Sequence, residues 1–329
     1  MSKRTATISV LPDPDVDPWP TLWQSFERGL RAGSGMRRGK PASPRTVEIY
    51  GDGGWQFHKW ALERRLSTDP RTITKSQIED FLIWLRVDHL AKPATVRARF
   101  SALRRFLNWC VEEKEIEHSP MQRMRGEEVP ESEAPVLTDQ EQVALLNVCR
   151  GDAFEDRRDM AILRLMIDTG LRRQEVAAIT VADIDLDALT ITVKRKGNKE
   201  GVAYFGAKVA RDIDRYLRVR ARHPHANLSA LWLASKGALT GDGVHHLVTR
   251  RARIAGIVRR VAGVDRTAWP HLLRHTFGDQ LKRVEQLSDE VVMTLGGWTD
   301  PKAMRRYGRS AAQARARDAH RRHSPGDRI

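Results

Sequence analysis

Six residues in the last 160 or so positions of this 329-residue chain have the types and spacing to do chemistry on a phosphodiester. They are Arg172 after Thr169-Gly170-Leu171, Lys196 in a Lys-Gly-Asn turn, His271-x-x-Arg274, Trp298 after Gly297, and Tyr307. A phenol with a pKa near 10 attacks only if cations stabilise the charge that develops or a base takes its proton. Two guanidiniums can grip the non-bridging oxygens of a phosphate and offset charge in a pentacoordinate transition state. His271 and Arg274 stand three apart, on one face of a helix's first turn. Taken singly, Tyr307 beside Arg305 and Arg306 reads as an amphipathic surface residue, and each arginine as a solvated side chain. The joint order and spacing is the signal.

Composition points to the same class of partner. Lys and Arg number 57 against 42 Asp and Glu, a formal net charge of +15. That excess favours a polyanion, because each phosphate neutralised releases condensed counterions. No apolar run approaches the roughly 18 residues of a spanning helix, which argues against a membrane protein. The N-terminus, Met1-Ser2-Lys3-Arg4, lacks the apolar centre of a signal peptide. Only Cys110 and Cys149 are present, with no C-x-x-C and no zinc spacing. A reducing, cytoplasmic setting without a structural metal is expected.

The elements that must hold these residues read as two domains joined by a polar linker. Residues 1–17 look like a flexible tail, and 18–124 a helical domain. Ser43-Pro44 is an N-cap followed by a first-turn proline, and Gly51 to Gly54 should interrupt that helix before Phe57 and Trp60 resume it. Thr74-x-x-Gln77 reads as a capping box. Val96, Phe100, Leu103 and Leu107 form an apolar stripe whose solvent side is expected to hold Arg97, Arg104 and Arg105. Residues 125–136 carry two prolines, a glycine and no apolar period: a linker. The second domain, 137–329, opens on the capping box Thr138-x-x-Glu141. Helices are expected near 139–149, 157–168, 207–221, 241–256, 271–284, 288–295 and 301–307. Strands at Leu189–Lys194 and Val202–Phe205 should flank the Lys196 turn. Thr299-Asp300-Pro301 starts the helix that bears Tyr307. The class is mainly α with one small antiparallel sheet.

This set resembles the tyrosine site-specific recombinases, the phage integrase family that includes lambda integrase, Cre and XerC/XerD. The resemblance covers roughly residues 19–325, more weakly in the first domain. It implies a helical core-DNA-binding domain and a catalytic domain of the DNA breaking–rejoining fold, closing on double-stranded DNA as a C-shaped clamp. It implies Tyr307 as nucleophile, forming a 3′-phosphotyrosyl bond, with Arg172, Arg274 and Trp298 on the phosphate. His271 would accept the tyrosine proton, Lys196 would act as general acid, preferred over the nearby Lys194 and Lys199 because it directly precedes Gly197, and Glu175 would buttress the site. Arg97, Arg104, Arg105, Arg250 and Arg251 are the expected DNA contacts. Strand exchange through a Holliday junction implies a homotetramer on two sites, needing no metal, ATP or other cofactor. The sequence departs from the family in two places. Arg195 replaces the first Gly of Gly-Lys-Gly-Asn-Lys, and Trp298, nine residues before Tyr307, stands where most members have His. Indole Nε1–H still donates a hydrogen bond. Type IB topoisomerases share the chemistry, and a catalytically inactive DNA-binding regulator could share the fold.

Overall fold

The structure is a computed structural model that describes residues 17–34, 39–127, 135–195, 199–261, 264–283, 287–301, 320–324 and 326–328. The chain divides into two compact units, Met1–Pro130 and Glu131–Ile329. No described helix is long and apolar enough to cross a membrane.

The described part of the first unit is built from α1 (Trp19–Ala32), α2 (Pro44–Glu63), α3 (Lys75–Val87) and α4 (Pro93–Glu112). Ser43 caps α2 by accepting from the Thr46 N–H, with Pro44 in the first turn. Thr74 likewise accepts from the Gln77 N–H, but the expected box is only half formed. The Gln77 amide instead donates to the Ser67 carbonyl at 2.6 Å.

A second expectation fails at the glycines, because α2 runs unbroken through Gly51, Gly53 and Gly54. A Cβ on Gly54 would stand 2.1 Å from the Trp23 ring, and one on Gly53 would stand 2.6 Å from the Ala102 Cβ. These glycines let α1 and α4 approach α2, and the packing offsets the roughly 0.5–1 kcal/mol each costs in a helix. The core they admit is aromatic: Trp19, Trp23, Phe26, Phe57, Trp60, Phe81 and Phe106 are fully or almost fully buried. Asp17, placed by sequence in the tail, is anchored. Its carboxylate accepts from the Trp19 N–H and the Thr68 hydroxyl and meets His58 Nε2. Burial raises the Asp17 pKa, and the bonds from His58 and Thr68 outweigh it and hold it below the ordinary value.

The second unit begins with α5 (Asp139–Asn147), whose Thr138–Glu141 capping box is complete. There follow α6 (Phe154–Thr169), the short α7 (Arg173–Ala177), and an antiparallel sheet of β1 (Ile184–Asp185), β2 (Thr190–Arg195) and β3 (Lys199–Tyr204). β2 and β3 pair in register from Thr190–Tyr204 to Arg195–Lys199. Next come α8 (Ala207–Arg220), β4 (Leu233–Ala234), β5 (Gly237–Ala238) and α9 (Gly241–Ile254). A hairpin of β6 (Val258–Val261) and β7 (Val264–Thr267) leads to α10 (Pro270–Arg283) and α11 (Asp289–Gly296). The core centres on Ile162, Leu165 and Met166 of α6 with Ile213 and Tyr216 of α8 and Leu272 and Leu273 of α10. The sequence reading missed α7 and both two-stranded hairpins. The β6–β7 hairpin has four charged residues among its eight, which removes the period-2 apolar signal.

Candidate active site

Three segments far apart in sequence build one cleft. The first is the end of α6. Gly170 stops the helix at φ +61°, and a Cβ there would strike the Phe277 ring at 2.3 Å. Buried Leu171 then carries the chain to Arg172, which precedes α7. Glu175, in the first turn of α7, accepts from the Arg172 backbone N–H at 2.8 Å and from its Nη1 at 2.6 Å. That carboxylate is buried while the Arg172 side chain is 44% exposed, so the guanidinium is held from one side and presented to the cleft on the other.

The second segment is α10. His271 is exposed and meets His275 edge to face at 4.3 Å. Arg274, one turn on, is 2% exposed. Its Nη1 donates to the Gly170 carbonyl and its Nη2 to the Gly296 carbonyl, each at 2.7 Å. Arg274 thus ties the C-terminal ends of α6 and α11 together. A planar fork suits two carbonyls where an ammonium would not.

The third segment follows α11, which ends at Gly297 with φ +59°. Trp298 is 6% exposed and shares a small apolar cluster with Phe277 and Val292. The Arg274 guanidinium lies 4.6 Å over its ring, a cation–π contact. Sequence reasoning cast Trp298 as a donor to the phosphate. Its position makes it first a platform for Arg274.

The resulting cleft, about 900 Å³, is lined by Arg172, Arg173, Arg195, His271, Arg274 and Thr299 among others. Arg173 pairs with Asp242 at 2.8 Å. The balance of charge on the walls is positive, with Glu175 and Glu200 the acidic members. Lys196 and Tyr307 lie outside the described residues, as does the helix expected after Pro301. Sequence reasoning did not single out Arg173 or Arg195 as site residues, because an arginine in so basic a chain carries no local mark.

The arginines expected on DNA are placed differently from one another. Arg97 is exposed. Arg104 is half-buried over the Phe100 ring at 4.6 Å and donates to the carbonyls of Met121 and Met124. Arg105 pairs with Glu112 at 3.0 Å, its side chain 15% exposed. The two do not form the open solvent side the stripe suggested. Arg250 is half-exposed and reaches Asp159 at 2.9 Å. Arg251 is a correction: it is buried, with Nε on Asp159, Nη1 on the Val148 carbonyl and Nη2 on Asp156. Those bonds turn its guanidinium inward, where it fastens α9 to α6. Asp159, fully buried, also holds Arg158 at 2.8 Å.

The Phage integrase family model matches residues 135–314. Tyrosine recombinase XerC of Staphylococcus aureus (strain JH9) is 30% identical over 263 residues, 78% of this chain and 85% of that protein. Among solved structures, XerH site-specific recombinase in a post-cleavage complex with its palindromic difH substrate superposes with TM-score 0.73 at 18% identity, covering 94% of this chain and 98% of that one. A lambda integrase dimer bound to a COC′ core site superposes with TM-score 0.65 at 14% identity, covering 88% and 94%. Matched by the family model over more than half its length, and by a relative at that identity, the chain belongs to the phage integrase family of tyrosine recombinases.

Proposed function

We propose that this tyrosine recombinase cleaves double-stranded DNA with the hydroxyl of Tyr307 and rejoins it to a new partner strand. The observation that carries the reading is the convergence of Arg172, His271 and Arg274 on one cleft from α6–α7 and α10. Tyr307 Oη attacks the scissile phosphorus, and His271 accepts the phenolic proton. Arg172 and Arg274 bind the non-bridging oxygens as negative charge builds. Lys196 gives a proton to the departing 5′-oxygen. The product is a 3′-phosphotyrosyl bond and a free 5′-hydroxyl. Attack by the 5′-hydroxyl of a partner strand reverses each step, so the energy of the broken bond is retained and no ATP or metal is required. Paired exchanges through a Holliday junction call for a homotetramer on two sites, acting in the cytoplasm. Arg97 of the first unit and Arg250 of the second are the DNA contacts most open to the duplex.

A duplex nicked close to the cleavage point should trap the wild-type protein as a covalent adduct, in EDTA as in magnesium. Tyr307→Phe should bind the same DNA and form no adduct, since the ring remains and the nucleophile is gone. Adduct formation by the Phe variant, or cleavage that needs magnesium, would overturn the mechanism. Relaxation of plasmids that lack any recognition site would favour a topoisomerase.

A further inference from the structure

Arg195, the last residue of β2, is where the chain departs from the family's glycine, and its side chain occupies a slot. It doubles back over β3 at Gly201, where a Cβ would stand 2.6 Å from its Nε. The guanidinium then lies against Gly297, where a Cβ would stand 2.5 Å from Cζ and 2.6 Å from Nη1. One hydrogen bond orients it, from Nη2 to the Val202 carbonyl at 3.3 Å. Two glycines leave room for one guanidinium on the wall of the cleft.

Its electrostatic situation differs from that of its neighbours. Arg172 has Glu175, Arg173 has Asp242, and Arg274 has two carbonyls. Among the described residues, Arg195 forms no ion pair. A partly buried guanidinium held in place with no ion pair among the described residues can take an anion, and its planar fork fits phosphate oxygens.

We propose that Arg195 is a third phosphate-binding guanidinium of this active site, contacting a backbone phosphate of the bound DNA. The inference rests on reading the cleft as the seat of DNA cleavage.

The test uses the full-length protein and a core site recovered by selection from random duplexes. Single-turnover cleavage is measured on duplexes carrying one uncharged methylphosphonate, moved phosphate by phosphate around the cleavage point. On unmodified DNA, Arg195→Ala should cleave about 10- to 100-fold more slowly, as for loss of one hydrogen bond to a charged group. At one phosphate, neutralisation should slow the wild type while costing Arg195→Ala nothing further. Gly201→Ala, which displaces the guanidinium and leaves residue 195 unchanged, should reproduce that pattern. Arg195→Ala should also lower the log–log salt slope of DNA binding by about 0.9, one phosphate contact. An unchanged slope, or a cleavage defect that adds fully to every neutralised phosphate, would overturn the proposal. A wild type that forms no adduct on any site, yet loses that slope in Arg195→Ala, would sink the cleavage reading and keep the phosphate contact.

Discussion

The two units bury different chemistry. Among the described residues, the first holds its helices together with rings and glycines, and its only buried polar side chains are Thr68 and Gln77. The second buries Arg158, Asp159, Glu175, Asp212, Arg220, Arg251, Arg274 and Asp279. Burying an ion pair in place of apolar side chains is neutral or costly for stability. The second unit therefore accepts that cost where the first does not, and the site lies in the second. Buried carboxylates and helix-end carbonyls fix guanidiniums that a solvated surface would leave to wander. A transition state gains from donors that need no reorganisation.

Substitutions in each unit test whether buried ion pairs and packed rings play these separate roles. The largest stability effect should come from Asp159→Asn, which leaves Arg158 and Arg251 buried beside a neutral amide. We expect a loss of about 3–5 kcal/mol in denaturant unfolding of the second unit's transition. A loss under about 1 kcal/mol would mean the network is not what joins α6 to α9. In the first unit, Gly54→Ala should cost about 1–3 kcal/mol by overpacking against Trp23, more than the helix propensity it gains. Stabilisation instead would mean the aromatic core is looser than its contacts suggest.

The smallest effect should come from Glu141→Gln. The hydrogen bond from Arg259 holds the Glu141 pKa below its ordinary 4.5. A depressed folded pKa contributes stability above the unfolded value and loses it as pH falls through the folded one. The variant should therefore be weaker by about 0.5–1 kcal/mol at pH 7, and the difference should shrink as pH falls below 4.5 and vanish only below the lower pKa of the folded state. A difference that persists in acid would assign it to packing.

What was legible in the sequence follows the same division. Caps at Ser43 and Thr138 are local chemistry and could be read from single residues. The glycines of α2 were misread because their reason, the Trp23 ring and Ala102, lies in other helices. Arg172, His271 and Arg274 were legible from their joint order and spacing and the resemblance these carry; nothing in their local sequence says that Gly170 and Gly296 supply the carbonyls Arg274 binds. Arg251 misled for the converse reason, since its carboxylate partners are remote. The β6–β7 hairpin left no apolar period to detect. Tertiary contacts, which one sequence does not display, decided each of these.

On the proposed mechanism, the second unit holds Arg172 for the transition state rather than for DNA affinity. Arg172→Lys keeps the charge and loses the planar fork that Glu175 orients. Single-turnover cleavage and DNA dissociation constants should be measured on the same duplex. Cleavage by Arg172→Lys should be slower by about 100-fold or more, with affinity changed by less than about fivefold. Loss of affinity equal to the loss of rate would make Arg172 an ordinary phosphate contact and contradict that mechanism.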